Sequence, residues 1–570
     1  MIVLSKKRPK KRKRILKFLI IFIFFISGLI YLGFKFIKQP STFYGYIAGF
    51  KPTVLLYNKT LTQNIETIRG EKVLVTGKKI NDEKNNIYQE IIKDKRTFYI
   101  EEKNLTNKEE KIVQEKKIYI RTPATIYKDI KSGKILGLGK KGSELEVLGY
   151  KELLEDGLVN IYQVKYNDEK GYIYGEYTVL NQEEATVFYE PDLYYDVHNK
   201  RGDRYGGGHA GNLDYYPVLK PIFKDNIMPN PVYALYLNNG RNIINKIDDY
   251  INLAKQTKIN AFVVDIKDDE APGYKSLVFE KYSPTNYQYA NNSYSNYEEA
   301  IKKLKEAGFY VIGRITVFKD KYYVLDNPTK AIIDSKTKEP YLHSNTYWPS
   351  PFQRDVWEFN VNLAKEAVGM GFNEIQFDYV RFPDQTRDAE VKGLMNLGNI
   401  YEEEKAEAIQ GFFFYATDVL HQLGVYVSAD VFGESAYDYV TAYGQYWPAI
   451  SNIVDVISGM PYPDHFNKYE FGFTEPVWTI PYDLLYHWGH NYVMIRQTEI
   501  PTPATIRTWI QGGDVPNYKH AGGYHYGEEE IEAQIKGLFD AGLNGGYMTW
   551  LSYSGLKRYQ SQIKVYSKEY

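Results

Sequence analysis

A chain of 570 residues is long enough for more than one domain, at roughly 100–200 residues per domain. It contains no cysteine, which excludes disulfides, thiolate catalysis and cysteine-ligated zinc. The chain has 71 basic and 71 acidic residues. When the nine cations near the N-terminus are left out, 62 basic and 71 acidic residues remain. The remainder is mildly acidic, so we expect no nucleic-acid partner.

The N-terminus predicts a membrane anchor. Nine cationic residues and no acid occur in Lys6–Lys17, and an uncharged apolar run follows over Phe18–Phe34. A basic flank stays in the cytoplasm, and a run of this length can cross a bilayer. We therefore expect a cytoplasmic tail at 1–17, a single transmembrane helix at 18–37 and an extracellular remainder. A cleaved signal peptide is the alternative, but no small-x-small cleavage site follows the run.

Short strands separated by tight turns follow the predicted anchor. A block that opens with Lys117–Ile120 has the spacing typical of small barrels or sandwiches. Its hinge Ile135-Leu136-Gly137 and its closing Gly171-Tyr172-Ile173 resemble bacterial Src-homology-3-like domains. We expect such a domain at 116–181 and a degenerate first copy at 41–113. The resemblance implies binding of cell-wall peptides; the alternative is a spacer that holds the next domain off the membrane.

The remainder predicts an α/β fold. Residues 182–230 are rich in turn formers and predict a linker packed on the next domain. Over 231–562, eight short apolar strands alternate with helices, which predicts a (β/α)₈ TIM barrel. The strands are expected at Val232–Leu237, Ala261–Ile266, Tyr310–Val317, Glu374–Val380, Val425–Val431, Val454–Ser458, Thr505–Ile510 and Gly546–Leu551. A doubly wound sheet is the alternative, but it needs a Gly-rich phosphate loop after its first strand, which Asn238-Asn239-Gly240-Arg241 is not.

Side-chain alternation in these strands predicts a charged cluster. Alternate side chains of a barrel strand point to the axis, and the site lies at the strand carboxyl ends. The residues expected to face inward are Asp265 and Lys267 on strand two, Arg314 on strand three, Gln376 and Asp378 on strand four, and Asp430 on strand five. Burying charge is costly unless it is paired, which favours a working site. A network that only fills the barrel core is the alternative.

Paired carboxylates without cysteine chemistry point to cleavage of glycosidic bonds. One acid protonates the leaving oxygen, and the other is the nucleophile or activates water. An arginine beside a nucleophilic aspartate would keep it ionised. The histidines lack zinc-binding spacing, and the acidic run Asp268-Asp269-Glu270 is typical of a solvated loop more than of a calcium site. We expect no metal and no cofactor.

Five segments carry a resemblance to a known family. They are Phe262–Asp269, Gly313–Asp320, Gly371–Pro383, Val427–Gly433 and Val456–Pro463. In this order they resemble the bacterial putative glycosyl hydrolase domain, a TIM-barrel family distantly similar to α-amylases, over about Val232–Tyr559. The resemblance implies that Asp378 is the nucleophile and that Asp430 or Glu434 is the acid. The family pattern Trp-Leu-Gln-Asp-Phe reads Trp509-Ile510-Gln511-Gly512-Gly513 here, so a third carboxylate is missing.

These observations favour a membrane-anchored, outward-facing glycoside hydrolase acting on a cell-surface or environmental polysaccharide. Its expected substrate-binding residues are Asp265, Arg314, Gln376, Arg381, Tyr462, Gln511 and Trp550. A non-catalytic wall-binding or scaffold protein that retains the barrel is the alternative, favoured by the missing acid on strand seven. A metal-dependent carbohydrate esterase is a third interpretation, disfavoured by the histidine pattern.

Overall fold

A computed structural model describes residues 19–27, 41–49, 53–56 and 64–570. Its contacts divide the chain into two compact units. One unit comprises Met1–Ile118, Glu146–Lys165 and Tyr174–Glu176, and the other comprises Tyr119–Leu145, Tyr166–Ile173 and Tyr177–Tyr570.

Only part of the predicted anchor is described. Residues 19–27 are helical, and their large apolar side chains are exposed. The rest of the predicted transmembrane segment, 18 and 28–37, lies outside the described residues. Within the part of the chain that the structure describes, no helix combines the length and the apolar character that a bilayer crossing requires.

Two sheets of seven strands each form the N-terminal β region. The first contains β1 (Phe43–Ile47), β2 (Thr53–Leu56), β3 (Asn64–Thr67), β4 (Lys72–Asn81), β5 (Ile87–Lys93), β6 (Arg96–Glu101) and β7 (Leu105–Thr106). The second contains β8 (Lys117–Ile120), β9 (Ala124–Asp129), β10 (Lys134–Gly139), β11 (Glu144–Leu153), β12 (Val159–Tyr166), β13 (Glu169–Tyr174) and β14 (Thr178–Val179). Their orders, β3-β2-β6-β5-β4-β1-β7 and β10-β9-β13-β12-β11-β8-β14, are the same topology used twice. This repetition is consistent with two Src-homology-3-like copies.

The C-terminal region is a nearly closed parallel barrel. The strands that follow β14 are β15 (Val232–Leu237), β16 (Ala261–Asp268), β17 (Ala271–Pro272), β18 (Tyr310–Thr316), β19 (Ile333–Asp334), β20 (Leu342–His343), β21 (Thr346–Tyr347), β22 (Glu374–Asp378), β23 (Met395–Asn396), β24 (Tyr426–Phe432), β25 (Val456–Met460), β26 (Thr505–Ile506), β27 (Thr508–Gln511) and β28 (Gly546–Trp550). The barrel order is β26-β25-β24-β22-β18-β16-β15-β28-β27. The predicted barrel is confirmed, with strand ends shifted by a few residues.

The seventh barrel strand is split in two. Its first half, β26, pairs with β25, and its second half, β27, pairs with β28. Between the halves, the Arg507 backbone N–H donates to the Ile457 carbonyl at 3.1 Å. Residues 505–511 therefore bridge the sixth and eighth strands, which brings the two edges of the sheet together.

Helices alternate with the barrel strands. The longer ones are Ile247–Ala254, Tyr294–Glu306, Arg354–Val368, Lys405–Leu420, Pro481–Trp488 and Glu528–Asp540. Shorter ones are Gln182–Thr186, Asp196–Asn199, Arg241–Ile244, Leu277–Tyr282, Pro284–Tyr289, Lys321–Asp326, Arg387–Val391, Trp447–Ser451, Met494–Gln497, Leu556–Gln560 and Ile563–Tyr566. All six longer helices lie between consecutive predicted strands.

Side chains from alternate strand positions fill the barrel. The inner cluster comprises Val232, Ala234, Tyr236, Ala261, Val263, Tyr310, Ile312, Tyr426, Tyr462, Trp509 and Met548. Near the amino-terminal ends of the strands, fully buried Arg507 and Glu374 form an ion pair at 2.8 Å, and the Tyr310 hydroxyl donates to Glu374 at 3.0 Å. The interior is therefore a packed core, with the carboxyl ends of the strands free to build a site.

The segment predicted as a linker belongs to the second unit and packs on the barrel. The Lys220 amine donates to the carbonyls of Ser451, Asn452 and Val454. Burial lowers the pKa of Lys220 to about 7. These contacts hold the chain around Lys220 against the barrel.

One residue that was predicted to face the barrel axis faces the surrounding helices instead. Lys267 was expected on the barrel axis, but the register between β16 and β18 shifts between Asp265 and Lys267. One extra residue on β16 reverses the side-chain alternation beyond it. Lys267 consequently forms a fully buried ion pair with Asp320 at 2.6 Å, and its amine lies 5.1 Å from the Phe359 ring centre, on the helix side of the sheet.

Candidate active site

One arginine organises the charged cluster at the carboxyl end of the barrel. Arg314 Nη2 and Nε donate to Asp378 Oδ2 at 2.6 and 3.1 Å. Arg314 Nη1 donates to Asp265 Oδ1 at 2.7 Å, and Nε lies 3.9 Å from Asp430 Oδ2. The structure therefore brings together the four inward charges that the sequence places on β16, β18, β22 and β24.

Asp378 is held by charge and by backbone geometry. Tyr379, the next residue, has a left-handed φ of 53°, unusual for a residue other than glycine. Its N–H donates to Asp378 Oδ1 at 2.6 Å. Oδ2 accepts both bonds from Arg314, so each oxygen of this carboxylate has a donor. These three bonds fix the position and orientation of the Asp378 side chain.

Asp430 occupies a contrasting environment. It is fully buried, and the Trp509 indole N–H donates to its Oδ1 at 2.7 Å. Among the described residues, Oδ2 has no hydrogen-bond partner. Burial, and then the charge of Asp378, raise the pKa of Asp430 well above its usual range. Because Oδ1 already accepts a bond, the proton of the neutral acid belongs on Oδ2.

Two further acids complete the cluster on β16. The Tyr236 hydroxyl donates to Asp265 Oδ2. Burial raises the pKa of Asp265 to about 7, against the attraction of Arg314. Asp268 accepts a bond from the Thr316 hydroxyl at 2.9 Å. Burial opposes ionisation of Asp268, but Arg314 and Thr316 outweigh it and lower its pKa. Among the acids around Arg314, the pKa is thus raised for Asp265 and Asp430 and lowered for Asp268.

Two cavities lie at the barrel mouth. The first, of about 660 Å³, is lined by residues at and beyond the ends of β24 and β25, among them Phe432, Glu434, Tyr437, Met460 and Phe466. The second, of about 420 Å³, lies at the ends of β27 and β28, and the predicted substrate-binding residues Tyr462, Gln511 and Trp550 line it. We call them the first and the second mouth cavity. His465 lines both.

Trp550 connects the second mouth cavity to the charged cluster. Its ring centre lies 5.3 Å from the Arg314 guanidinium carbon and 4.3 Å from the Tyr236 ring centre. Glu434 lines the first cavity, where it accepts bonds from the Tyr439 and Tyr443 hydroxyls at 3.0 and 2.9 Å. The alternative acid therefore lies in an open cavity, whereas Asp430 lies in the buried cluster.

Two other predicted binding residues lie deeper. Gln376 is fully buried and donates to the Ser458 hydroxyl at 3.3 Å inside the barrel. Arg381 is also buried; its guanidinium lies 4.4 Å from the Phe432 ring centre and donates to the Phe382 carbonyl at 3.0 Å. Arg381 thus supports the wall of the first cavity from behind.

Sequence reasoning missed three partners of the cluster. Tyr236 and Trp509 face inward, and the alternation that found Arg314 could have found them on β15 and β27. Asp268 was assigned to a solvated loop, and it enters the cluster because of the same bulge that removes Lys267. No sequence signal marks that bulge.

In barrel enzymes, the carboxyl ends of the strands supply the catalytic groups. The parallel barrel of this chain, with several carboxylates at that end, has the architecture of this class. The model of the family described as "Putative glycosyl hydrolase domain" matches residues 234–559. The chain belongs to this family, as the sequence motifs predict.

Several solved structures resemble the chain. A hypothetical protein from Ruminiclostridium thermocellum ATCC 27405 is 33% identical over 35% of this chain and 97% of its own, with a TM-score of 0.29. The PgaB (BpsB) glycoside hydrolase domain from Bordetella bronchiseptica is 14% identical over 60% of this chain and 100% of its own, with a TM-score of 0.42. Flavobacterium johnsoniae chitobiase is 10% identical over 59% of this chain and 48% of its own, with a TM-score of 0.39. No curated protein matches the chain.

Proposed function

We propose that the chain is a membrane-anchored glycoside hydrolase that cleaves a cell-surface or environmental polysaccharide with two carboxylates. The observation that carries the proposal is the Arg314 guanidinium, which donates twice to Asp378 and lies 3.9 Å from Asp430. Two donated bonds from the guanidinium thus hold Asp378 in place, while burial and then the charge of Asp378 raise the pKa of Asp430. Two acids whose environments separate their protonation states are what glycosidic cleavage requires.

In the proposed first step, the proton on Asp430 Oδ2 moves to the glycosidic oxygen as the bond from that oxygen to the anomeric carbon breaks. An oxygen of Asp378 forms the new bond to the anomeric carbon. Water then replaces Asp378, and Asp430 recovers its proton from that water. Arg314 positions Asp378, and Asp265 balances the charge of Arg314.

The proposed location rests on the N-terminal sequence. The basic flank and the apolar run support a single-pass anchor with a cytoplasmic N-terminus and an extracellular barrel. The two N-terminal β copies follow the anchor in the chain and precede the barrel, and they would bind wall components or act as a spacer.

A non-catalytic glycan-binding scaffold is the second candidate. Two observations favour it: Asp430 is fully buried, and strand seven has Gly512 where the family pattern has an acid. A buried acid serves in catalysis only if glycan binding opens a path to it. In the scaffold reading, the cluster around Arg314 stabilises the barrel and the mouth cavities bind glycan.

Hydrolysis of purified wall glycans and soluble polysaccharides by the full-length protein tests the proposal. Asp378→Asn preserves volume and removes the charge, so we expect folded protein whose turnover is lower by several orders of magnitude. Glu434→Gln is the matched comparison for the acid, because Glu434 lies in the open cavity. If Glu434→Gln abolishes turnover and Asp430→Asn does not, the acid is Glu434. Glycan binding without any cleavage would favour the scaffold.

A further inference from the structure

The two mouth cavities lie side by side over consecutive strand ends. Met460, at the end of β25, lines the first cavity, and Tyr462, two residues later, lines the second. His465, from the same loop, lines both. The loop after β25 is therefore a shared wall, and the cavities are neighbours along the mouth of the barrel.

The charged cluster lies behind residues that line the two cavities. Phe432, which lines the first, is two residues beyond Asp430 on β24, and Trp550, which lines the second, packs over the Arg314 guanidinium. Each cavity also has aromatic walls: Tyr437 and Phe466 in the first, Tyr518 and Trp550 in the second. Aromatic rings provide flat apolar faces with polar edges, which suit the faces of sugar rings.

We infer that the two mouth cavities are halves of one cleft that binds a glycan chain on both sides of the carboxylates, so that the enzyme cuts within a polymer. The inference rests on the proposed function, since it takes the ligand to be a glycan. A site that removes terminal sugars needs one cavity closed at its end, whereas two adjoining cavities with aromatic walls accommodate a chain that continues in both directions.

Charge restricts which chains fit. In the second cavity, Asp464 pairs with Lys519 at 3.1 Å and Asp514 pairs with Arg558 at 2.7 Å. In the first, Glu434 accepts only tyrosine hydroxyls and forms no ion pair with a cation in the described part of the chain. A uronic acid would meet like charge there, so neutral and amine-bearing sugars are the suitable occupants.

Binding measured on full-length Asp378→Asn protein tests the cleft without requiring cleavage. The probes are chitohexaose, its de-N-acetylated counterpart and maltohexaose, each compared with its own disaccharide by calorimetry. We expect at least one hexasaccharide to bind about tenfold or more tightly than its disaccharide, because the second cavity adds contacts to a ligand already held by the first.

Two variants test whether both cavities contact the hexasaccharide. Phe466→Ala alters the first cavity and Tyr518→Ala, at a position that is 87% exposed, alters the second. We expect each to weaken hexasaccharide binding by about tenfold, while only one of them affects the disaccharide. Tyr469→Ala is the matched control, an exposed tyrosine on the loop after β25 that should change neither.

Three results would overturn the inference: no hexasaccharide binds, the hexasaccharide binds no better than the disaccharide, or only one of the two cavity variants affects the hexasaccharide. Wild-type hydrolysis is scored separately. Binding across both cavities without hydrolysis would refute the proposed function and leave the cleft intact. Hydrolysis that releases only terminal sugars would support the proposed function and refute the cleft.

Discussion

Replacing Asp430 by asparagine tests the protonation of the buried acid directly. Asp430 is fully buried, and burial together with the charge of Asp378 raises its pKa. In the unfolded chain this carboxyl ionises near 3.8, whereas in the folded barrel it stays protonated to higher pH. Each pH unit in that interval costs the folded state about 1.4 kcal/mol of stability.

The sign of the effect follows from the raised pKa. The stabilising contribution of protonated Asp430 is complete below the unfolded pKa and is lost as the pH rises through the folded pKa. Asparagine is neutral at every pH and can still accept the Trp509 bond through its oxygen. We therefore expect Asp430→Asn to gain stability relative to the wild type by about 1.4 kcal/mol per pH unit over this interval.

Urea unfolding of the full-length protein measures this difference from about pH 5 to about pH 8. Tryptophan fluorescence reports specifically on unfolding of the barrel, because all seven tryptophans lie in the barrel region: Trp348, Trp357, Trp447, Trp478, Trp488, Trp509 and Trp550. Turnover should fall by about 10²–10⁴-fold, the usual contribution of a general acid, and least for substrates with good leaving groups. A stability difference that does not change with pH would refute the reasoning, because it would mean that Asp430 is ionised in the folded barrel.

Three further predictions concern single contacts and topology. Trp509→Phe removes a hydrogen bond that favours ionised Asp430, so the pKa of Asp430 should rise and the alkaline limb of the kcat/KM profile should move to higher pH. An unchanged alkaline limb would mean that the Trp509 bond does not influence the pKa of the catalytic acid. Lys267→Met leaves Asp320 buried without its cation and should destabilise the barrel by about 3–5 kcal/mol in urea unfolding, whereas Lys303→Met, at an exposed ion pair, should leave the unfolding midpoint nearly unchanged. Protease added to intact cells should digest the barrel, since the N-terminal sequence predicts an extracellular domain; complete protection would contradict that topology.

Local sequence patterns determine the architecture of the barrel. Val232–Leu237 has no charged residue and Tyr310–Thr316 has only Arg314, and continuous runs of this kind are typical of parallel strands buried on both faces. The period of two within each strand sets which side chains face the axis. That is why Arg314, Asp378 and Asp430 could be placed together from the sequence alone.

The repeated N-terminal topology was only partly visible in the sequence. The Gly171-Tyr172-Ile173 ending predicts one Src-homology-3-like copy, but the first copy lacks such a clear ending. Strand order, not residue identity, relates the two sheets. Pairing between strands depends on which segments meet, so a repeat of topology can persist when the sequence motif does not.

Tertiary structure decided the chemistry of individual groups. The bulge in β16 turns Lys267 away from the barrel axis and brings Asp268 into the cluster. The position of one extra residue in a strand cannot be recognised from an alternating sequence pattern. The Trp509 bond to Asp430 joins residues on β27 and β24 that are far apart in the chain, and Oδ2 of Asp430 becomes buried only in the folded barrel. The sequence by itself determines which side chains face the axis, because alternation is a local property of the backbone. Their protonation depends on burial and on neighbouring charges, and both arise only when distant strands close into a barrel.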